Sequence, residues 1–389
     1  MNQSKGLTYL KYFVLVFLAT AALISTGRGI YNATNVSMDF QWGGSVILLE
    51  GDNPYKVYLE GRQDIYTKEM SPPNYAHSLY LALTPFGLMS WNTAKISWAV
   101  FNVFIGILVV LIVVRSFNLT TEQSLFVAFI FLAGSPFRIG IGNGQQGLIM
   151  LFAFSALLTS SSYWSSLAAG CGYFKYSFAP PFASYLLFKR GVWHFLTSLL
   201  PGVAGFIVFW AITGGPLVET LIHPLLVSSQ SVASGSADIM TITESVTQEG
   251  SILFLIGYYF IPISISLLGG YISFKFTDNK NVSFAFLCVI SLLSFKHLSY
   301  DFVFLLPVLC LAIKNIYKYT SVYILSVVLF VYFGWKVVYE LTSRFDSLSS
   351  LAVLKSPYLN LFLLLSIAVA IPYMASSTEP SEEPLSAER

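Results

Sequence analysis

The sequence predicts an all-α polytopic membrane protein, and three observations carry that reading. Of 389 residues, 55% are hydrophobic and only 10% are charged, against roughly 25% charged in a soluble domain. The mean hydropathy is +0.69. Apolar runs suited to crossing a bilayer, which takes about 20 residues per helix, recur along most of the chain. With 21 Lys+Arg and 19 Asp+Glu, the charges are too few to coat a water-facing surface. The net charge of +2 is scattered rather than patched, so a nucleic-acid partner is excluded. Cys171, Cys288 and Cys310 each sit in an apolar run without CxxC spacing, so neither a disulfide nor a zinc site is expected.

Taken in order, the clear apolar runs are Tyr12–Ile24, Ala94–Val114, Gln146–Leu158, Ser165–Phe188, Val192–Thr213 and Ile252–Phe274. Val282–Phe295, Tyr300–Ile313, Ser321–Leu341 and Tyr358–Met374 follow. His77–Ser90 and Ser124–Gly134 are short enough to be spans or half-helices, which gives about ten to twelve spans. Twelve would bring both termini to one side. The first run follows Lys5 and Lys11 as a signal peptide would. It ends in Ser25-Thr26-Gly27-Arg28, a poor cleavage site, and reads as an uncleaved first helix. Lys5, Lys11, Lys189, Arg190, Lys275, Lys280, Lys314 and Lys318 can all be placed in the cytoplasm together. Residues 28–74 and 214–250 then face outward, the second without Lys or Arg. The first loop is expected to form short interfacial helices, with the stretch from Phe40 to Leu49 as an amphipathic piece on the membrane face. Residues 1–375 read as one transmembrane domain and the Ser/Glu/Pro-rich 376–389 as a disordered cytoplasmic tail. No internal repeat is evident.

Few residues in such a chain can carry chemistry. Asp39 lies just beyond the first span, where a carboxylate can take a proton from a hydroxyl whose lipid tail stays in the bilayer; an ordinary solvated loop Asp is the alternative. Lys175 falls inside an apolar run, where an unpaired ammonium costs at least about 2.5–3.5 kcal/mol. It should face either an anion such as phosphate or a structural acid. Lys296-His297 marks the end of another span, and His297 and Asp301 would share a helix face. His297 is therefore placed to meet a sugar hydroxyl or phosphate, or to reach water. Arg138 and Gly142-Asn143-Gly144-Gln145-Gln146-Gly147 form a polar, glycine-rich interruption before a helix, a favourable place for an anion. It lacks the spacing of a nucleotide P-loop. Arg138 belongs either to an inner loop, as a twelve-span count puts it, or to a re-entrant piece. Asp52 sits in Gly51-Asp52-Asn53-Pro54-Tyr55, a turn in which an Asp commonly caps its own backbone.

Asp39 after the first span, that turn, and Pro72-Pro73-Asn74-Tyr75 leading into a span near Pro85 together resemble the GT87 family. These are membrane glycosyltransferases of GT-C architecture, related to mycobacterial polyprenyl-phosphate-mannose-dependent mannosyltransferases. Arg138 with Gly144-Gln145, Gly172-x-x-Lys175 followed by Pro180-Pro181, and Lys296-His297 resemble the family's later landmarks, over roughly residues 10 to 310. The chain departs in having Lys175-Tyr176 where members often have Lys-Pro, and in Lys296-His297-Leu298.

The resemblance implies inverting transfer of a hexose, mannose favoured, from a polyprenyl-phosphate donor to a lipid or glycan acceptor outside the cell membrane. Asp39 would be the base and Lys175, Arg138 and Gln145 the donor-phosphate ligands. His297, Lys296, Asp52, Tyr55 and Tyr75 would bind substrate. No Asp-x-Asp nucleotide-sugar motif occurs, so no metal or other cofactor is expected, and the protein is expected to act as a monomer. A transporter of lipid-linked sugars is the main rival. A polysaccharide polymerase, disfavoured by the Arg-free second loop, and a non-catalytic scaffold are lesser ones.

Overall fold

The structure is a computed structural model that describes residues 2–375 apart from residues 38, 69, 231–237, 276–278, 346–349, 352 and 355. The 376–389 tail lies outside the described residues. Among those described, the regular structure is helical and no strand occurs. Five helices are long and apolar enough to cross a membrane: Thr8–Asn35, Trp91–Ser116, Val192–Thr213, Ile252–Lys275 and Pro357–Met374. The number rises to seven if each of two bent pairs is one span.

The expected ten to twelve full spans thus become five to seven, together with shorter apolar helices such as Gly147–Thr159 and Lys280–Ser294. Local breaks account for the difference. The expected Ser165–Phe188 span is Tyr163–Gly170, a 3-10 turn at Cys171–Phe174, and a new helix from Ala179. Pro180-Pro181 opens that helix, where missing backbone N–H groups cost nothing. The expected Tyr300–Ile313 span is a 3-10 stretch, Ser299–Leu305, followed by Leu306–Lys314. Ser124–Gly134 proves to be part of Thr121–Ala133, which bends by 50° into Ser135–Gly142. Thr120 starts it with a capping box: its hydroxyl accepts from Gln123 N at 3.2 Å, and the Gln123 side chain accepts from Thr120 N at 3.1 Å. His77–Ser90 resolves into two short helices, His77–Ala82 and Thr84–Gly87.

The first helix runs from Asn2 to Asn35, well past the expected loop start at Arg28. The rest of that segment forms short helices as expected, Trp42–Leu49, Pro54–Leu59 and Gln63–Ile65. Trp42–Leu49 is not a membrane-face piece, however. Trp42, Gly43, Gly44, Ser45, Ile47 and Leu48 are all buried, and Trp42 Nε1 donates to Phe86 O at 3.0 Å. Its even apolarity, rather than a one-sided stripe, is why protein surrounds it. Among the described residues of 214–250 are two helices, Leu217–Gln230 and Ile239–Val246. Large apolar side chains face outward over the helices, among them Leu23 at 76%, Trp193 at 68% and Phe260 at 67% exposure. Lipid is the medium that accepts such a surface.

Contacts sort the helix ends into two sets. At one end Lys11 pairs with Glu122, and Gln123 Nε2 reaches Ile313 O at 3.4 Å. There too Lys314 Nζ caps Phe117 O at 2.8 Å, Lys280 Nζ reaches Leu158 O at 2.5 Å, and Arg190 Nη2 binds Leu157 O and Ser160 O at 3.0 Å each. The other end holds Asn35, Asp39, Trp91, Gly144 and Tyr75. Arg138 belongs to this second end, on the helix after the bend: a Cβ on Gly29 would lie 3.3 Å from its carbonyl oxygen.

Candidate active site

Asp39 is buried, 6% exposed, on the segment between the first helix and Trp42–Leu49. Gly43 N donates to its Oδ1 at 3.2 Å and Ser71 N to its Oδ2 at 2.9 Å. The Ser71 hydroxyl donates to the Asp39 carbonyl at 3.2 Å. The strap from Ser71 to Asn74 therefore closes over Asp39, held also by Gln41 Nε2 on Pro72 O at 3.1 Å.

Behind the carboxylate, Phe40 stacks on Trp98 with centroids 4.9 Å apart and planes 8° apart, and on Trp91 at 5.9 Å. Each such pair adds about 0.5–1.5 kcal/mol beyond burial. Gln41, at φ 74°, turns the chain into the helix, and its Oε1 accepts from Tyr80 OH at 2.8 Å.

The glycine-rich turn joins Asp39 to the second cluster. Gly144 has φ 64° and lies so close to Phe40 that a Cβ would sit 2.6 Å from the Phe40 Cβ. Trp98 Nε1 donates to Gly144 O at 2.7 Å, and Gln146 Nε2 to Phe40 O at 2.8 Å. One residue on, a Cβ on Gly147 would stand 3.4 Å from Asp301 Oδ1.

Lys175, expected to face either an anion or a structural acid, has an acid beside it. Its Nζ lies 2.6 Å from Asp301 Oδ2, with side-chain exposures of 15% and 0%. Four-residue spacing could not reveal a partner 126 residues away. Lys175 occupies the break after the 3-10 turn rather than the middle of a helix. Phe178 and Tyr300 flank the ammonium at 4.8 and 5.5 Å from their ring centroids.

The proposed His297–Asp301 contact on one helix face is also corrected. Lys280–Ser294 ends before His297, and Phe295 and Leu298 are extended, so the four-residue helical geometry is lost. Asp301 Oδ2 accepts from Leu298 N at 3.1 Å. His297 turns to Asp238: its backbone N is 3.4 Å and its Nδ1 3.7 Å from Asp238 Oδ2. Nδ1 also lies 3.3 Å from Phe295 O. Burial holds the imidazole below its ordinary pKa against the opposing pull of Asp238 and Asp301.

The remaining expected residues divide. Tyr75 OH donates to Gln145 Oε1 at 3.3 Å, and Ala76 N to Phe174 O at 2.7 Å, which brings Tyr75 and Gln145 beside the Lys175 turn. Tyr55 is fully buried and donates to Tyr75 O at 2.6 Å, a packing post under the site. Asp52 does not cap its turn; it accepts from Tyr66 OH, while Asn53 Oδ1 caps the helix by accepting from Tyr55 N and Lys56 N. Lys296 is neutralised by Glu244 at 2.7 Å. Arg138 is half-buried, and its charge feels Arg28 on the facing first helix.

Sequence reasoning missed Gln146, Asp238, Gln41 and Arg28 as site residues. Their signals were positional: Gln146 stands in the glycine-rich turn and Asp238 in the Arg-free second loop. Among the described residues no His/Cys/Asp/Glu group is gathered for a metal ion. A cavity of about 40 Å³ beside Phe117, Asn281 and Lys314 lies at the opposite end and has room for roughly one water.

The structure is a helical bundle of membrane type whose acidic, basic and amide side chains meet at one end. The chain matches glycosyltransferase family 87 over residues 75–295, more than half its length, and belongs to that family. It is therefore a membrane glycosyltransferase. The matched residues include Tyr75, Arg138, Gln145 and Lys175, while Asp39, Lys296 and His297 lie beyond them. No curated relative and no solved structure matches the chain.

Proposed function

We propose that the protein moves a hexose, mannose favoured, from a polyprenyl-phosphate donor to a hydroxyl of a lipid or glycan acceptor, with inversion, on the extracytoplasmic side of the cell membrane. One observation carries this reading: Asp39 and the Lys175–Asp301–His297 cluster share the glycine-rich turn at the bundle end away from Lys280, Lys314 and Arg190. The end that holds Lys280, Lys314 and Arg190 is the one expected in the cytoplasm.

In the proposed step, Asp39 accepts the acceptor's hydroxyl proton as that oxygen attacks the anomeric carbon. The bond from carbon to phosphate oxygen breaks, and polyprenyl phosphate departs with the electron pair. The leaving group is already anionic, so cations substitute for a strong acid. Arg138 and Arg28 have no acidic partner among the described residues, which suits them to the phosphate. Lys175 spends one N–H on Asp301 and retains two donors for the bridging oxygen. Burial of Asp39 favours this reading over a lipid-sugar transporter, which needs no carboxylate fixed by two backbone amides.

Purified protein given labelled polyprenyl-phosphate hexoses and membrane lipid extract should form a product of inverted anomeric configuration. Chelator should leave the rate unchanged. Use of nucleotide sugars alone, or a rate abolished by chelator and restored by a divalent cation, would overturn the donor or the metal-free mechanism respectively.

A further inference from the structure

The cluster around Lys175 contains two polar atoms that the chain leaves without partners. His297 Nε2 and Asp301 Oδ1 are buried, and among the described residues neither has a hydrogen-bond partner. Leaving a buried acceptor unmet is costly, so atoms of this kind call for a ligand or a water. Their chemistry can be deduced. His297 Nδ1 faces two acceptors, Asp238 Oδ2 and Phe295 O, at 3.7 and 3.3 Å. The ring proton therefore belongs on Nδ1, which leaves Nε2 as an acceptor. Asp301 Oδ1 is a carboxylate oxygen and also accepts. Both atoms demand a donor.

The charge balance excludes an anion there. Asp238 and Asp301 are both fully buried carboxylates beside the imidazole, and the cation paired with Asp301 among the described residues is Lys175. A phosphate placed on Nε2 or Oδ1 would meet a lone pair or a negative charge. Hydroxyl groups fit, because each brings the hydrogen that the atom lacks. The surroundings suit a sugar: Tyr300 and Phe178 bracket Lys175 with aromatic faces.

We infer that His297 Nε2 and Asp301 Oδ1 accept hydrogen bonds from hydroxyl groups of the donor hexose, with Asp238 as the residue that positions the imidazole. This rests on the proposed glycosyl transfer, and it gives the sugar ring a place next to the Lys175 ammonium. Arg138 and Arg28 remain for the phosphate.

The test is a series of polyprenyl-phosphate hexoses lacking one hydroxyl, as deoxy and as deoxyfluoro compounds at the 3, 4 and 6 positions. A site that needs a donor should reject both replacements equally, because fluorine accepts but cannot donate. The expected result is a loss in kcat/KM on the order of 100-fold or more at one or two positions. In His297→Phe and Asp301→Asn, each variant should lose the discrimination at one position while keeping its affinity for polyprenyl phosphate. Asp238→Asn should weaken the discrimination assigned to His297, and His297→Gln, which retains an acceptor, should restore part of it.

The wild-type series alone decides the matter if a variant fails to assemble. Deoxyfluoro donors equal to the parent at every position, or deoxy donors without loss, would overturn the inference and leave these atoms to buried water. If the parent lipid-phosphate sugar is inert and its nucleotide-linked counterpart active, the donor reading fails separately. The same analogues on that counterpart then decide the inference.

Discussion

Asp39 is held by two backbone amides, one from Gly43 and one from Ser71, so its carboxylate is fixed in orientation by the chain itself. Asp39→Asn turns one acceptor oxygen into a donor against an amide N–H, at a cost of about 1 kcal/mol in stability. Its larger effect should be on rate: a fall in kcat of about 100-fold or more with donor binding retained. Asp52→Asn should keep most activity, because Asp52 binds Tyr66 OH; an inactive Asp52→Asn beside an active Asp39→Asn would move the base to the turn.

His77 gives a pH signature of its own. Burial pushes its pKa down to about 4, against the raising effect of its bond to Thr220 O at 2.9 Å. The unfolded chain binds this proton near pH 6.5 and the folded chain does not. Stability from His77 is therefore complete above pH 6.5 and is lost as pH falls toward 4, by up to about 3 kcal/mol. Melting of the purified protein between pH 7.5 and 4.5 should show this slope, and His77→Gln should flatten it.

At the scale of elements, glycines set how closely segments meet. A Cβ on Gly170 would lie 1.9 Å from the backbone oxygen of Ser198, so the Tyr163–Gly170 and Val192–Thr213 helices would have to part. Gly170→Ala should cost about 3 kcal/mol or more and reduce the yield of monodisperse protein. Gly144→Ala combines φ 64° with a clash against Phe40; it should lower both melting temperature and kcat, since Phe40 adjoins Asp39. Gly250→Ala has φ 80° but open space around it. Backbone strain of about 1–2 kcal/mol, with unchanged kcat, is the expected control result.

For the whole molecule, placing the end that holds Lys11, Lys280, Lys314 and Arg190 in the cytoplasm predicts labelling from opposite sides of the membrane. Tyr317 is 99% exposed by the Lys314 end and Ile65 is 70% exposed by the Asp39 end. In a Cys171→Ser background, Ile65→Cys should react with an impermeant maleimide on intact cells and Tyr317→Cys only on inverted vesicles. Reaction of both from one side would overturn the assigned topology.

Composition determined on its own that this chain is a helical membrane protein, because 10% charge cannot solvate a 55% hydrophobic chain. Short motifs also singled out Asp39, Lys175, Arg138 and His297, since a polar residue among apolar ones is conspicuous without any fold. Their partners were not legible. Lys175 meets Asp301 across 126 residues and His297 meets Asp238 across 59, and pairing at such range has no local period to betray it. Nor could hydropathy foresee breaks at Lys175 and His297, because an apolar run reads the same whether the helix continues or is interrupted by a 3-10 turn. The tertiary structure decided which charges are already paired and which acceptors remain for a ligand, because those depend on what packs alongside.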